Sequence, residues 1–215
     1  MSPDLRFESG SHVCQIYETF AEQKEVILPF LSEGLSNEEH CLLVAIESAL
    51  DEWRLELQAY GIDVKHEESR GALTLASGAQ WRRDGPLNSI FLAREALALI
   101  YELGAGFRGV RAVGDAEWQL NPELTADQLC HWEATANLVL EGEPVQAICQ
   151  FNRKDCSDSL IYAALRTHPN VIYQGRTYRN NPNYEAPRIL ENEPHLNHSE
   201  ADARVIEAAI NRLTP

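Results

Sequence analysis

The sequence predicts an α/β fold of three layers: a mostly parallel sheet with helices on both faces, followed by a C-terminal arm and a final helix. Three observations carry this. Short strand-like runs alternate with amphipathic helical stretches from about residue 11 to about residue 180, the pattern of successive strand–helix–strand units. The runs Cys41–Ile46 and Val145–Phe151 are of the type buried on both faces, which parallel sheets require. From Asn180 to Asn197 the composition changes: Pro182, Pro187 and Pro194 stand among many Asn and Glu with few large apolar residues, which reads as an extended linker or wrapping arm.

His12–Tyr17 is short and alternates loosely, as a strand does. Thr19-Phe20-Ala21-Glu22 has capping-box spacing. Val26, Ile27, Phe30, Leu31 and Leu35 then recur at helical intervals to about Ser36. Pro29 inside this stretch is expected to kink the helix or mark a later start. After the Cys41–Ile46 strand, Ser48 is placed to cap a helix with the stripe Leu50, Trp53, Leu57 and Tyr60, stopped at Gly61.

Leu73–Ala76 reads as a strand, Leu87–Leu103 as a helix stopped by Gly104, and Gly109–Gly114 as a strand. Thr125–Leu140 reads as a helix with the stripe Leu129, Trp132, Ala136 and Val139. Ser157–Thr167 is a helix ended by His168-Pro169. Val171–Tyr173 is a last core strand, and Thr177-Tyr178 adds an edge pairing. Ser199–Leu213 closes the chain with Ala201, Val205, Ile206, Ala209, Ile210 and Leu213 on one broad stripe. An isolated helix of that length is marginal in water, so it must dock on its own domain, on a second copy or on a partner. The expected division is a sensory-type α/β domain over 1–180 and an arm with its helix over 181–215.

The 215 residues are 44% hydrophobic and 24% charged, ordinary values for a globular chain. Eighteen basic against 33 acidic residues give a net charge of −15, which repels phosphate backbones and anionic lipid. No nucleic-acid or membrane partner is expected. The one adjacent basic pair, Arg82-Arg83, reads as a solvated loop. No apolar run is long enough to span a bilayer, and Met1–Gly10 has no hydrophobic core of a secretory signal. The five cysteines, Cys14, Cys41, Cys130, Cys149 and Cys156, are odd in number and form no CxxC, which suits reduced thiols in the cytoplasm.

A nucleotide-binding α/β protein carries a glycine-rich turn after its first strand, where backbone N–H groups cradle phosphate. Here that turn is Tyr17-Glu18-Thr19-Phe20-Ala21-Glu22. It has no glycine and no Gly-Lys-Ser/Thr, and its two carboxylates repel a triphosphate. GxGxxG, GxSxG and HExxH are absent as well. No cofactor and no catalytic residue is expected. Glu117 matches a catalytic carboxylate in position only.

His12-Val-Cys14-Gln-Ile-Tyr17-Glu18, followed by Pro29-Phe30-Leu31-Ser-Glu33-Gly34-Leu35, resembles the start of the MEDS domain. Gly109-Val-Arg-Ala-Val-Gly114-Asp-Ala-Glu117-Trp118, Val145-Gln-Ala-Ile-Cys149-Gln150-Phe151 and Leu165-Arg166-Thr167-His168-Pro169 continue the resemblance. The resemblance implies a KaiC/RecA-like fold whose phosphate loop is lost. It also implies a sensory role toward small hydrocarbon derivatives or similar signals. Its members commonly sit beside kinase or DNA-binding domains.

Ligands of open α/β sheets collect beyond the carboxyl ends of the strands. The ligand-binding candidates there are Tyr17, Glu18, Glu47, Asp115, Glu117, Trp118, Gln150 and Asn152. Glu117-Trp118 pairs a carboxylate with a flat apolar surface, which suits a small organic ligand with one polar handle; the competing reading has Trp118 closing the core.

His12 and Cys14 share a strand face. With Cys149 and His168 they could start a metal or redox site, but packing is the preferred reading and no metal is assigned. In that reading Cys14 and Cys149 fill the core, His12 bonds a neighbouring loop, and His168 caps a helix end. A reactive Cys14 would need a lowered pKa, which acidic surroundings oppose. Cys130-His131 reads as incidental, and His195 and His198 as solvated.

The expected function is therefore a signal-sensing module. It binds a small organic ligand and relays to a signalling protein, such as a kinase or regulator, through the arm and last helix, without nucleotide hydrolysis. The alternative is a ligand-free interaction or dimerisation module, with a homodimer among its forms.

Overall fold

The computed structural model describes residues 3–78, 89–115, 125–186 and 203–213. Its strands are β1 (Ser11–Tyr17), β2 (His40–Ala45), β3 (Leu73–Ser77), β4 (Val110–Asp115), β5 (Val145–Asn152), β6 (Asn170–Tyr173) and β7 (Arg176–Tyr178). They form one sheet in the order β3-β2-β4-β5-β1-β6-β7. Every neighbouring pair is parallel except β6 and β7, the edge pairing expected around Thr177-Tyr178. The helices are α1 (Phe20–Ser36), α2 (Leu50–Ala59), α3 (Val64–Ser69), α4 (Ser89–Gly104), α5 (Ala126–Leu140), α6 (Asp158–Thr167) and α7 (Ala203–Leu213).

Side chains alternate along each strand, so the sheet sorts its residues between two cores. Val13, Leu43, Val113, Ile148 and Ile172 pack with Val26, Ile27, Phe30 and Leu31 of α1, Trp53 and Leu57 of α2 and Val64 of α3. Cys14, Ile16, Phe151 and Val171 pack on the other face with α5, α6 and α7. Ile100 of α4 joins Val110, Leu140, Val145 and Ala147 in a third cluster.

Several local expectations are corrected. Ser48 does not cap α2: a 3-10 turn, Glu47–Ala49, leads straight into the helix, with no side-chain bond at its cap. Pro29 does not mark a later start, because α1 begins at Phe20 and continues through it. Helix α3 escapes periodicity because six residues are fewer than two turns, although Asp63 accepts the His66 N–H at its start. Ala201 and the Ser199 start of the last helix lie outside the described residues, as do Arg82, Arg83, His195 and His198.

The described part of the arm is bound tightly to the domain. Asn181 and Asn183 are buried. The Asn181 side-chain amide donates to the Leu165 and His168 carbonyls at 2.6 and 2.8 Å, and that of Asn183 donates to the Ala209 carbonyl at 2.9 Å. Arg166 and Glu185 form a half-buried ion pair. The last helix docks on its own domain, one of the three surfaces open to it: Ala209 and Leu213 are buried against α6.

His40, at the head of β2, yields a pH prediction. Its ring is buried, Nδ1 lies 2.9 Å from the Gly71 carbonyl, and Nε2 has no partner among the described residues. Burial lowers its pKa, partly opposed by the Gly71 bond. The native ring thus stays neutral where the unfolded one, with a pKa of about 6.5, takes a proton. Its contribution is full above the unfolded pKa and is lost as pH falls toward the folded value. Urea midpoints should drop less between about pH 7 and 5.5 in His40→Gln than in the wild type; equal drops would remove His40 from the account.

Candidate functional site: a strand-end network and a buried histidine cluster

The carboxyl ends of β1, β4 and β5 meet under the start of α1. Tyr17 Oη donates to Asp115 Oδ2 at 3.2 Å, and Gln23 Nε2 donates to the same oxygen at 2.9 Å. Gln23 Nε2 also lies 3.0 Å from Gln150 Oε1. Gln150 Nε2 donates to Gln15 Oε1 at 2.6 Å, and Gln15 Nε2 to the Glu22 carbonyl at 2.9 Å. The register explains the meeting: Gln15 stands beside Gln150, and Gln150 beside Asp115, all on the α1 face. All five side chains are buried, and each unmade bond there would cost about 1–3 kcal/mol.

In the turn between β1 and α1, Thr19 Oγ1 accepts the Glu22 N–H at 3.3 Å. The Glu22 carboxylate folds back onto the Glu18 N–H at 2.7 Å. This differs slightly from the expected capping box, whose glutamate would take the N–H of the cap residue itself. The consequence is chemical. Where a phosphate loop offers its amide to an anion, this turn supplies the anion internally.

Of the eight strand-end candidates, the structure brings together Tyr17, Asp115 and Gln150. Glu18 is exposed at the turn and contributes its backbone amide. Asn152 pairs in register with Tyr17, but its Oδ1 accepts the Lys154 N–H at 3.0 Å and shapes the following turn. Glu47 is exposed after β2, on the far side of β4 from β1 and β5. Glu117 and Trp118 lie outside the described residues. Gln15 and Gln23 were not among the candidates. A glutamine inside a strand or one turn into a helix carries no mark of burial in the sequence.

The second constellation is on the opposite face of the sheet. Among the described residues His12 of β1 meets a helix and a strand, not the expected loop; its Nδ1 lies 3.3 Å from Asn137 Oδ1 on α5, and its Nε2 lies 3.2 Å from Cys149 Sγ. His168, at the end of α6, places Nδ1 2.8 Å from the Ala164 carbonyl and Nε2 3.2 Å from His12 Nε2. Glu133 of α5 brings Oε2 to 3.3 Å from His12 Nε2, 3.7 Å from His168 Nε2 and 3.7 Å from Cys149 Sγ. Its Oε1 is buried with no partner among the described residues. Phe151 seals one side, with its ring 6.0 Å from His168.

His168 does cap its helix, as its sequence position implied, and the same geometry aims its other nitrogen at the cluster. Cys14 shares the face but not the cluster: it sits in the apolar core with Ile16 and Phe151. Burial, and secondarily the Glu133 charge, push the Cys14 and Cys149 thiols well above their ordinary range. Burial also pushes Cys41 and Cys130 up to about 12. Cys14, Cys41 and Cys130 are thus unlike the low-pKa thiols that react with oxidants. Burial and the neighbouring His12 lower the His168 pKa.

Glu133 and Asn137 were missed, although a signal existed. Glu133 lies one turn after Leu129, inside the stripe that α5 buries, and the half-buried Asn137 follows one turn further. A carboxylate within an apolar stripe is the kind of exception that marks a site.

A mostly parallel seven-stranded sheet with helices on both faces, its first strand inside the sheet, gives the chain an α/β fold. The solved KaiC-like protein PH0186 from the archaeon Pyrococcus horikoshii OT3 has this fold. It matches with a TM-score of 0.54 over 80% of this chain and 77% of that one, at 14% identity. The chain belongs to the MEDS family, the MEthanogen/methylotroph, DcmR Sensory domain, whose model matches residues 11–169. It is also similar to the transcriptional repressor DcmR of Methylorubrum extorquens strain DM4, with 25% identity over 163 residues. That match takes in 74% of this chain and 58% of the repressor, so the chain spans little more than half of that relative's length. Among the described residues, no helix is long and apolar enough to cross a membrane.

Proposed function

We propose that the chain is the signal-receiving module of a regulator. It binds a small organic molecule, a hydrocarbon derivative with one polar handle, at the carboxyl ends of β1, β4 and β5, and it hydrolyses no nucleotide. Membership of a sensory family supports the general role. The observation that carries the site is the buried chain of bonds from Tyr17 and Asp115 through Gln23 and Gln150 to Gln15. A ligand hydroxyl or amine that takes over a bond to Asp115 releases Gln23 or Tyr17, and only a differential preference of this kind shifts a conformational equilibrium.

The route outward runs through α1, which carries both Gln23 and the Glu22 carbonyl. The last helix packs on the opposite face of the sheet, so the expected relay through α7 is replaced by one through α1 to a partner protein.

The test is a thermal-shift screen of halomethanes, methylated amines and short alcohols, with titration calorimetry of any hit. A hit should raise the melting temperature of the wild type and lose its effect in Asp115→Asn, which keeps the shape and removes the charge. If no class shifts stability, the ligand site is withdrawn. Micromolar ATP binding would overturn the nucleotide half of the proposal.

A further inference from the structure

We propose that His12, Glu133, Cys149 and His168 form a binding site for a single borderline divalent cation, with zinc in first place. The four residues come from β1, α5, β5 and the end of α6, and their donor atoms all lie within 4.8 Å of one another. The hydrogen-bond partners fix where the protons sit. His168 Nδ1 faces a carbonyl, so it carries the hydrogen, and Nε2 is left with a lone pair. Asn137 donates its amide to the Glu133 and Thr167 carbonyls, at 3.0 and 2.6 Å, so the atom it turns to His12 Nδ1 is its oxygen. His12 Nδ1 therefore carries the hydrogen too. Two lone pairs then face each other across 3.2 Å. A buried carboxylate stands beside them with one oxygen unpartnered. Such an arrangement is repulsive until a cation enters it, and a carboxylate held away from water costs several kcal/mol without one.

The spacing fits a metal ion. A tetrahedral ion with bonds of 2.0–2.3 Å holds its ligand atoms about 3.3–3.8 Å apart. Five of the six pairs measure 3.2, 3.2, 3.3, 3.7 and 3.7 Å, and the sixth, His168 Nε2 to Cys149 Sγ, lies within 4.8 Å. Imidazole, thiolate and carboxylate together suit zinc better than a hard ion such as magnesium. Fixing each imidazole's outer nitrogen on an oxygen acceptor is also how metal-ligating histidines are oriented. The rival occupant is a proton shared between Glu133 and a histidine.

The intact chain, purified without chelators, should carry about one zinc equivalent by mass spectrometry. Refolding with cobalt should give tetrahedral visible bands and a thiolate charge-transfer band. Cys149→Ser should abolish that band, and Glu133→Gln should lower occupancy. Asn137→Ala, which leaves all four ligands in place, should weaken zinc binding about 10–100-fold. Any variant counts only if its circular dichroism matches the wild type. Should every variant unfold, the wild-type cobalt spectrum decides, since a spectrum without the thiolate band overturns the site. So does metal retained unchanged by the folded variants. Finding no metal after purification and after refolding with zinc or cobalt assigns the cluster to a shared proton and ends the proposal.

Discussion

Replacing Arg111 with methionine is expected to destabilise the fold by about 3–5 kcal/mol, the cost of breaking a buried ion pair by removing one partner. Arg111 sits in β4 with almost no exposure. Its Nε donates to Glu39 Oε2 at 2.6 Å, and its Nη1 donates to the Phe30 carbonyl and Glu33 Oε2, both at 2.9 Å. Its guanidinium also lies 4.8 Å over the Phe30 ring.

The three polar partners do not count equally. Glu33 is about half exposed and regains water, whereas Glu39 is largely covered. The main penalty is therefore a stranded Glu39, together with an unsatisfied Phe30 carbonyl. Adding Glu39→Gln to Arg111→Met should recover part of the loss, because contacting residues couple rather than add. Urea titration of the two single variants and the double would show this. Strict additivity would mean that Arg111 acts through packing alone.

Trp53→Ala should cost a similar amount, about 3–5 kcal/mol. Trp53 anchors α2, a helix whose other buried residues are only Leu50 and Leu57. It meets Phe20 edge to face at 5.1 Å, tying α2 to the first residue of α1. A cavity there cannot collapse easily, because the main-chain supports on either side belong to different helices. The control lies on the same helix: Leu55 is exposed, and Leu55→Ala should stay within about 0.5 kcal/mol. If both variants melt with the wild type, α2 is not held through its tryptophan.

The sequence revealed the elements more readily than their neighbours. Cys41–Ile46 was legible as a strand because a continuous apolar run needs a sheet covered on both sides, and Val145–Phe151 because it is apolar but for Gln146 and Gln150. The strand order was not legible, and the site depended on it. Tyr17, Asp115 and Gln150 end neighbouring strands, whereas Glu47 ends β2, which reaches β5 only across β4. A rule that collects every strand end cannot separate these cases. Helix α5 shows the opposite loss. Its periodicity was plain, but the stripe was centred on Trp132 and Ala136, while the chain buries Cys130, Glu133 and Ala134. A stripe read about one residue, roughly 100°, off around the helix axis thus hid the carboxylate that joins His12, Cys149 and His168. The Asn181 and Asn183 bonds were invisible for another reason: a polar, proline-containing arm looks the same whether it wraps a domain or leaves it.

Strand β1 lies between β5 and β6, and this has a consequence for biosynthesis. It leaves the ribosome before both and can find neither neighbour until residues 145–173 have followed it. Pairings so distant in sequence form late, since a large loop must close before any contact rewards it. During that interval His12 waits in the open, while Cys149 and His168 have yet to be made. Whatever occupies the proposed metal site can thus board the nascent chain and be enclosed once β5 and the end of α6 have emerged. Its occupancy would then record conditions at the moment of synthesis more than those the finished protein later meets.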